Sequence, residues 1–279
     1  MTSDGRISEA DYLYVRGFLR EQIGYDLGAG KEYLVEGRLG PVAATFGLPN
    51  IARLLDQLRL ADNRSVRDAV IEAMAINETY FFRAPAVFDT LRTRVLPALL
   101  AARKSARRLR IWCAACSTGQ EPFSIAMLLA DHFPELAGWS TYLLATDISE
   151  QSLDRARSGL YSQFEVQRGL SVHLLLKHFT KNHEQWQIAD SLRRAITWRK
   201  INLLDSYLGI GGPFDLILIR NALIYFDRSL ISTVFAKLAQ AIAQDGFLIL
   251  GESETVMGLT DRFVCSALPG VYSRANRVP

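Results

Sequence analysis

Cysteine, net charge and long apolar runs are all scarce in this chain of 279 residues. Three cysteines are too few, and an odd number, for a disulfide framework, and they are typical of a reducing compartment. Thirty-two Lys and Arg against 29 Asp and Glu leave a formal charge of +3, too small to indicate nucleic-acid binding. No apolar run approaches the roughly 18 residues that span a bilayer. We therefore expect no nucleic-acid partner and no direct membrane insertion.

The remaining composition is that of a globular protein, with 49% apolar and 22% charged residues. At roughly 150 residues per domain, the chain is long enough for one large domain or two smaller ones. The N-terminal residues are polar and acidic, whereas a signal peptide is basic and then apolar. We therefore expect a cytoplasmic protein.

Cys113 and Cys116 form a C-x-x-C pair, which allows a redox or a zinc interpretation. A zinc site needs about four ligands. The remaining thiol, Cys265, lies far along the chain and has no paired histidine nearby. We therefore expect no metal site.

The first 76 residues are predicted to be helical. They hold nine basic and eleven acidic residues, a net charge of −2, whereas residues 77–279 carry +5. The pattern and the charge therefore both change near residue 76. The apolar positions that repeat at helical spacing are Tyr12, Val15, Leu19 and Ile23, then Ile51, Leu54, Leu55 and Leu58, then Val66, Val70 and Met74.

From about residue 105, short apolar runs alternate with helical segments, which indicates a doubly wound parallel α/β sheet. The short polar and aromatic pieces in 178–200 interrupt this alternation and predict a small inserted antiparallel β-subdomain; they include Trp186, Ile188, Ile196 and Trp198. The predicted strands are 109–115, 141–148, 214–219 and 246–251, and the predicted helices include 122–132 and 229–244.

Two of the predicted strands end in residues suited to a nucleotide-like ligand. The first runs into a small-residue turn ahead of Glu121 and Pro122, the latter expected to begin the next helix. The second ends at Asp147, placed to accept hydrogen bonds from both ribose hydroxyls of an adenosine-containing ligand. An ordinary polar turn and a helix-capping Asp are the alternatives. The two features together favour the cofactor.

Two further stretches carry polar groups beside apolar ones. The strand 214–219 is followed by Arg220, Asn221 and Tyr225, although Tyr225 could equally be a core aromatic with its hydroxyl at the rim. In the stretch 77–83, at the junction of the helical and α/β parts, polar residues flank an aromatic cluster. It suits either a segment that covers a pocket or a plain interdomain linker.

These four stretches, in this order, resemble the chemotaxis receptor glutamate O-methyltransferases, the CheR family. The resemblance covers nearly the whole chain. It implies a small all-α N-terminal domain over 1–76, followed by a Rossmann-like S-adenosylmethionine methyltransferase domain over 77–279 with the β-subdomain inserted at 178–200. The matching motifs read NETYFFR, CSTGQEPFSIAM, ATDIS, RKINLL, FDLILIRNALIYFD and DGFLILGESE.

The resemblance also implies which residues form the site. The pair it places nearest the transferred methyl group is Arg83 and Tyr225. The chain has Gln120 where the family commonly has Glu and Phe123 where it commonly has Tyr, changes that leave Glu121 intact. Matched by position, the cofactor-binding residues are Asn77, Thr79, Arg83, Glu121, Asp147, Asn202, Leu203, Arg220 and Asn221.

The implied reaction transfers a methyl group from S-adenosylmethionine to glutamate side chains of chemoreceptors, giving methyl esters and S-adenosylhomocysteine. A glutamate with an ordinary pKa of about 4.3 is already ionised at neutral pH, so no general base is needed. The implied partner is the cytoplasmic methylation region of a chemoreceptor, and we expect a monomer. The matching recognition helix, about 31–46, offers only Lys31 and Arg38 beside Glu32 and Glu36.

Two other functions stay open on the residues alone. A different S-adenosylmethionine enzyme, acting on a small-molecule acid or another protein, would use the same cofactor residues. A module that senses the cofactor or its product without turnover would also keep them. The presence of both Arg83 and Tyr225, the pair placed nearest the transferred methyl group, counts against such a module.

Overall fold

The computed structural model describes residues 7–60 and 62–275. Contacts divide these residues into two units. The first holds the described residues up to Ile76 together with Tyr225–Leu230. The second holds Asn77–Ile224 and the described residues from Ile231 onward.

The first unit is built from four helices whose apolar stripes face one another. Every apolar position predicted to repeat at helical spacing is buried, so the helical prediction is confirmed. Polar side chains begin three of the helices: Ser8, Asn50 and Asn63 each accept a hydrogen bond from a backbone N–H of the first turn. The helices are α1 (Glu9–Ile23), α2 (Glu32–Thr45), α3 (Ile51–Arg59) and α4 (Arg64–Met74).

Arg38 joins α2 to the end of α4. Its Nη1 lies 3.0 Å from the carbonyl oxygens of both Met74 and Ala75. The last carbonyls of a helix have no partner within the helix, and a basic side chain can satisfy them. Arg38 therefore closes the end of α4.

The segment Tyr225–Leu230 adds to this unit through the residues that follow α1. Tyr25 and Phe226 form an isolated antiparallel bridge, and the Asp26 N–H donates to the Tyr225 carbonyl at 2.8 Å. Gly24 has φ +76°, and a Cβ there would lie 2.5 Å from the Phe226 ring. Only glycine therefore fits at this turn.

The second unit contains a central seven-stranded sheet and a separate three-stranded antiparallel sheet. The central order is β6-β2-β1-β7-β8-β10-β9; the first five strands are parallel, and β10 is antiparallel to both β8 and β9. This arrangement confirms the prediction of a doubly wound sheet. The strands are β1 (Arg108–Ala114), β2 (Ser140–Asp147), β3 (Leu160–Ser162), β4 (Phe179–Asn182), β5 (Gln185–Ile188), β6 (Ile196–Lys200), β7 (Phe214–Ile219), β8 (Ile242–Leu250), β9 (Phe263–Cys265) and β10 (Val271–Arg274).

Helices complete the fold, and large buried side chains such as Trp112, Phe123 and Phe214 fill the core of the second unit. A π-helical turn, Leu91–Val95, joins α5 to α6, and short 3-10 helices cover Pro134–Leu136 and Leu223–Tyr225. Among the described residues, no helix has the length and apolarity to cross a bilayer. The remaining helices are α5 (Pro85–Thr90), α6 (Leu96–Arg103), α7 (Gln120–His132), α8 (Glu150–Ser158), α9 (Gln163–Gln167), α10 (Val172–His178), α11 (Asp190–Arg194) and α12 (Arg228–Ala241).

The predicted range 178–200 for the inserted β-subdomain is wrong at both ends. The small sheet has the order β3-β5-β4, so it begins at Leu160. β6, with Ile196 and Trp198, instead pairs in parallel with β2 at the edge of the central sheet. An edge strand is partly exposed, so its alternating pattern resembles that of an antiparallel strand.

Two predicted helix bounds also differ from the structure. The helix expected over 229–244 ends at Ala241, because Ile242 already pairs with Phe214 of β7. Pro122 does not begin its helix: α7 starts two residues earlier, after Gly119 in a left-handed conformation.

Candidate active site

The predicted site residues of the second unit gather where the strand order reverses. β2 and β6 lie on one side of β1, and β7 and β8 lie on the other. In open α/β sheets, ligands bind outside the carboxyl ends of the strands at such a switch point. Six of the predicted residues end or follow these strands: Glu121, Asp147, Asn202, Leu203, Arg220 and Asn221.

The turn after β1 is tightly wound. Three of its five residues are in the left-handed region: Ala115 (φ +56°), Ser117 (φ +50°) and Gly119 (φ +93°). A Cβ at Gly119 would lie 2.8 Å from Cβ of Ala156, so this position requires glycine. The strain in the two non-glycine residues must be supported by surrounding contacts, as is common at binding sites.

Asp147 supplies part of that support. Its carboxylate is buried and accepts hydrogen bonds from the backbone N–H of Ser117 at 2.7 Å and of Ser149 at 2.9 Å. Its backbone carbonyl accepts a hydrogen bond from the N–H of Ile201, and Asn202 is the next residue along the chain. Ser149 is the capping residue of α8, so the simple capping role considered for Asp147 is taken by another side chain.

Glu121 and Arg220 form a buried ion pair. Arg220 Nη1 lies 3.0 Å from Glu121 Oε2, and Nη2 donates to the backbone carbonyl of Arg83 at 2.6 Å. Burial raises the pKa of the Glu121 carboxyl above its usual range, although the charge of Arg220 opposes this shift. Arg220 thus contacts two other predicted cofactor residues directly, Glu121 through its side chain and Arg83 through its backbone.

The stretch 77–83 packs against other parts of the second unit. The Ser117 hydroxyl donates to the Asn77 carbonyl at 2.7 Å, and the Phe82 N–H donates to the Ser124 hydroxyl at 2.9 Å. Phe81 is fully buried. These contacts with the turn after β1 and with α7 show that the stretch packs on the domain, which disfavours a plain linker.

Arg83 lies between two residues with left-handed backbone, Phe82 (φ +49°) and Ala84 (φ +60°). Its Nη1 donates to the Glu78 carbonyl at 3.0 Å, and its guanidinium carbon lies 5.5 Å from the centre of the Tyr80 ring. The segment therefore holds its own arginine in place at the surface of the second unit.

The remaining predicted residues are placed as follows. Thr79 is half-buried within the stretch 77–83. Tyr225 ends a 3-10 helix and groups with the first unit, where its ring meets Tyr25 edge-to-face at 6.1 Å. Burial raises the pKa of the Tyr25 hydroxyl, and the nearby Tyr225 raises it further.

Glu254 is absent from the predicted site. It is buried, and its carboxylate accepts four backbone hydrogen bonds, from Gly251, Asn221, Ala222 and Leu223. The available signal was its place: an acidic residue shortly after β8, the strand beside β7. The motif that contains it, DGFLILGESE, is one of those that carry the family resemblance.

The C-x-x-C pair belongs to the core. Cys113 and Cys116 are both buried, and burial raises the pKa of both thiols well above its usual value. Thiols in that state are poor nucleophiles and poor ligands. In the described ranges, no group of three or more His, Cys, Asp or Glu side chains is arranged to hold a metal ion.

The residues at the switch point fit an adenosine-containing cofactor. Asp147 presents an oriented carboxylate, and a small-residue turn lies beside it. Nε of Arg220 is buried and finds no acceptor among the described residues, so it can donate to a ligand. A doubly wound sheet with these features defines the class of α/β proteins that bind adenosine-type ligands.

Comparison with known families identifies the member of that class. Residues 10–75 match the family model described as CheR methyltransferase, all-alpha domain. Residues 77–271 match the model described as CheR methyltransferase, SAM binding domain. The chain belongs to the CheR methyltransferase family.

Several relatives are similar over nearly their whole length. A chemotaxis protein methyltransferase of Vibrio anguillarum is 38% identical over 260 residues, which cover 92% of this chain and 93% of the relative. Chemotaxis protein methyltransferase 1 of Pseudomonas aeruginosa is 34% identical over 274 residues, or 96% and 99% of the two chains. A chemotaxis protein methyltransferase of Salmonella typhimurium is 31% identical over 268 residues, or 94% and 90%. The family resemblance is confirmed.

Proposed function

We propose that this chain is a chemotaxis methyltransferase that transfers a methyl group from S-adenosylmethionine to glutamate side chains of chemoreceptors. The products are glutamate methyl esters and S-adenosylhomocysteine, and the protein acts in the cytoplasm as a monomer. One observation carries the proposal: in a chain that matches both family domains, Glu121 pairs with Arg220, and Asp147 ends β2 at the same switch point of the sheet.

The cofactor supplies a methyl group on a positively charged sulfur, which makes the methyl carbon electrophilic. Asp147, held by two backbone amides, would accept hydrogen bonds from the ribose hydroxyls. The buried pair of Glu121 and Arg220 keeps the neighbouring loops in register. The other residues proposed to hold the cofactor are Asn77, Thr79, Arg83, Asn202, Leu203 and Asn221.

The substrate carboxylate needs orientation rather than deprotonation, because a glutamate is ionised at neutral pH. Holding two reacting groups in line can lower a barrier by about 7–11 kcal/mol. Arg83 would steer the carboxylate, and the Tyr225 hydroxyl would donate a hydrogen bond that positions it. A tight ion pair would weaken the nucleophile, so positioning is the main role of the arginine.

The proposal is tested by incubating the purified chain with methyl-labelled S-adenosylmethionine and the cytoplasmic fragment of a chemoreceptor from the same organism. We expect label on receptor glutamates in a bond that releases methanol in base. Replacing the methylated glutamates by alanine should abolish the labelling. Label on a small acid instead, or tight product binding with no turnover on any receptor, would support one of the alternative functions.

The roles of Arg83 and Tyr225 have their own test in the same assay. Arg83→Ala and Tyr225→Phe should each lower kcat by about tenfold to hundredfold, the effect of losing one hydrogen bond to a charged group. Tyr225→Phe should leave the affinity for S-adenosylhomocysteine within about twofold, since that hydroxyl is assigned to the substrate. Tyr14→Phe, at a half-buried tyrosine on α1, is the control. Wild-type turnover in both variants, with unchanged cofactor affinity, would show the roles to be wrong.

A further inference from the structure

The loop after β7 carries Arg220 and Asn221. The carboxylate of Glu254, in the loop after β8, accepts hydrogen bonds from backbone N–H groups of this loop. We propose that Glu254 is a positioning residue of the cofactor site, which fixes the backbone of this loop so that Arg220 and Asn221 meet the cofactor. The inference rests on the proposed function, because it assumes that these two residues bind S-adenosylmethionine.

Both oxygens of Glu254 are used. Oε2 accepts from the backbone N–H of Asn221 at 2.8 Å and of Gly251 at 2.7 Å. Oε1 accepts from the N–H of Ala222 at 3.0 Å and of Leu223 at 2.7 Å. An ionised carboxylate only accepts hydrogen bonds, and bonds to an ionised acceptor are about twice as strong as neutral ones. Glu254 therefore satisfies three consecutive amides of one loop.

This loop conformation needs an anchor. Asn221 has φ +58°, a left-handed conformation that is uncommon outside glycine. Successive N–H groups that point to one side form a concave anion site, and Glu254 provides the anion from within the chain. A Cβ at Gly251 would lie 2.7 Å from Glu254 Oε2 and 2.9 Å from the Asn221 nitrogen. Position 251 therefore accepts only glycine without displacing this contact.

The anchored amides adjoin the proposed site directly. Arg220 precedes the first of them, and its guanidinium contacts Glu121 and the carbonyl of Arg83. Leu223, the last of them, begins the 3-10 helix that ends at Tyr225. Burial raises the pKa of the Glu121 carboxyl, and the charge of Glu254 raises it further, so Glu254 also affects the site electrostatically.

The experiment compares Glu254→Gln with Glu252→Gln, which removes an exposed carboxylate two residues away. In Glu254→Gln, an NH2 group faces N–H donors that the carboxylate had satisfied. Affinity for S-adenosylhomocysteine, measured by calorimetry well below the unfolding midpoint, should fall by about tenfold to hundredfold, as expected for one lost charge-assisted hydrogen bond. KM for S-adenosylmethionine should rise in proportion, with a smaller loss of kcat. Glu252→Gln should bind as wild type, and Glu254→Asp should recover part of the affinity.

A purely structural role for Glu254 gives a different result. If Glu254→Gln binds the product within about twofold of wild type, the inference is overturned even where the unfolding midpoint falls. If Glu254→Gln does not fold, Glu254→Asp and Gly251→Ala decide the matter, because both keep the carboxylate and displace it; wild-type affinity in both would overturn the inference. A wild-type protein that binds no S-adenosylhomocysteine would instead refute the cofactor assignment, and this inference with it.

Discussion

Gly169 meets the backbone of Phe81 so closely that a side chain cannot fit between them. A Cβ at Gly169 would lie 1.8 Å from the Phe81 carbonyl oxygen, and φ there is +96°. The preceding residue, Arg168, forms an ion pair with Glu78 at 2.7 Å and lies over the Tyr80 ring at 4.4 Å. Two adjacent residues after α9 thus hold the stretch 77–83, which carries several of the proposed site residues.

We predict that Gly169→Ala lowers the free energy of unfolding by more than about 3 kcal/mol, because backbone strain and steric overlap act together. Gly209→Ala is the matched control in the same unit. Its φ is +77°, but nothing lies within 4 Å of the added Cβ, so only the conformational cost of roughly 1 kcal/mol applies. Urea unfolding of both variants measures the difference. Equal losses would show that Phe81 and Gly169 separate easily.

At the scale of whole elements, Arg103 ties α6 to two strands at the amino edge of the sheet. Its Nε donates to Asp215 of β7 at 2.6 Å, and its Nη1 donates to Asp245 of β8 at 2.7 Å. The backbone N–H of Arg110, in β1, also donates to Asp215. Charged side chains therefore join the amino ends of these three strands. The cofactor is proposed to bind at the opposite, carboxyl edge of the sheet.

Arg103→Leu should destabilise the protein by about 3–5 kcal/mol, because it leaves the Asp215 carboxylate buried and without its cation. Asp245→Asn should cost less than about 1 kcal/mol, since that carboxylate is 56% exposed and its ion pair is screened by solvent. Urea unfolding at neutral pH gives both values. Affinity for S-adenosylhomocysteine should stay as in wild type, which separates this edge from the site.

The ion pair between Arg103 and Asp245 sets part of the dependence of folding stability on acidic pH. The hydrogen bond from Arg103 holds the pKa of Asp245 below its usual range. A carboxyl whose pKa is lower in the folded protein than in the unfolded chain stabilises the fold at every pH above its unfolded pKa of about 3.9. That stabilisation is lost as the pH falls through the pKa of the folded protein. This loss should be smaller in Arg103→Leu than in wild type. Unfolding midpoints measured across that acidic range would detect the difference.

For the whole molecule, the small net charge hides an uneven distribution. Residues 1–76 carry −2, and residues 77–279 carry +5. The helix expected to meet an acidic receptor, α2, has Arg38 bound to the carbonyls at the end of α4. Of its two predicted basic contacts, Lys31 alone is exposed. Charge on this helix therefore offers little attraction for a receptor.

Lys31→Glu should change the KM for the receptor fragment by less than about twofold, since one exposed charge contributes at most about 1 kcal/mol and commonly far less. Steady-state methylation at low and high salt measures this effect, with Lys181→Glu, another exposed lysine, as the comparison. A tenfold rise in KM for Lys31→Glu alone would show that α2 recognises the receptor through this charge.

Local pattern determined much of this protein. The spacing of Tyr12, Val15, Leu19 and Ile23 predicts α1 because a helix buries one stripe, and that stripe does not depend on its partner. Apolar runs followed by polar residues predicted β1, β2 and β7 and the residues that follow them. Parallel strands place their carboxyl ends at one edge, so these residues had to lie along the same edge of the sheet.

Tertiary structure decided what local pattern leaves open. The five residues of β6 pair with a strand about 50 positions earlier, and their alternation suits either sheet, so only the pairing assigns them. Glu254 acts through amides more than 30 residues away, a contact without local periodicity. Tyr225 follows residues of the second unit along the chain but belongs to the first unit. Long-range pairing and burial made these assignments, since both depend on which segments meet in space.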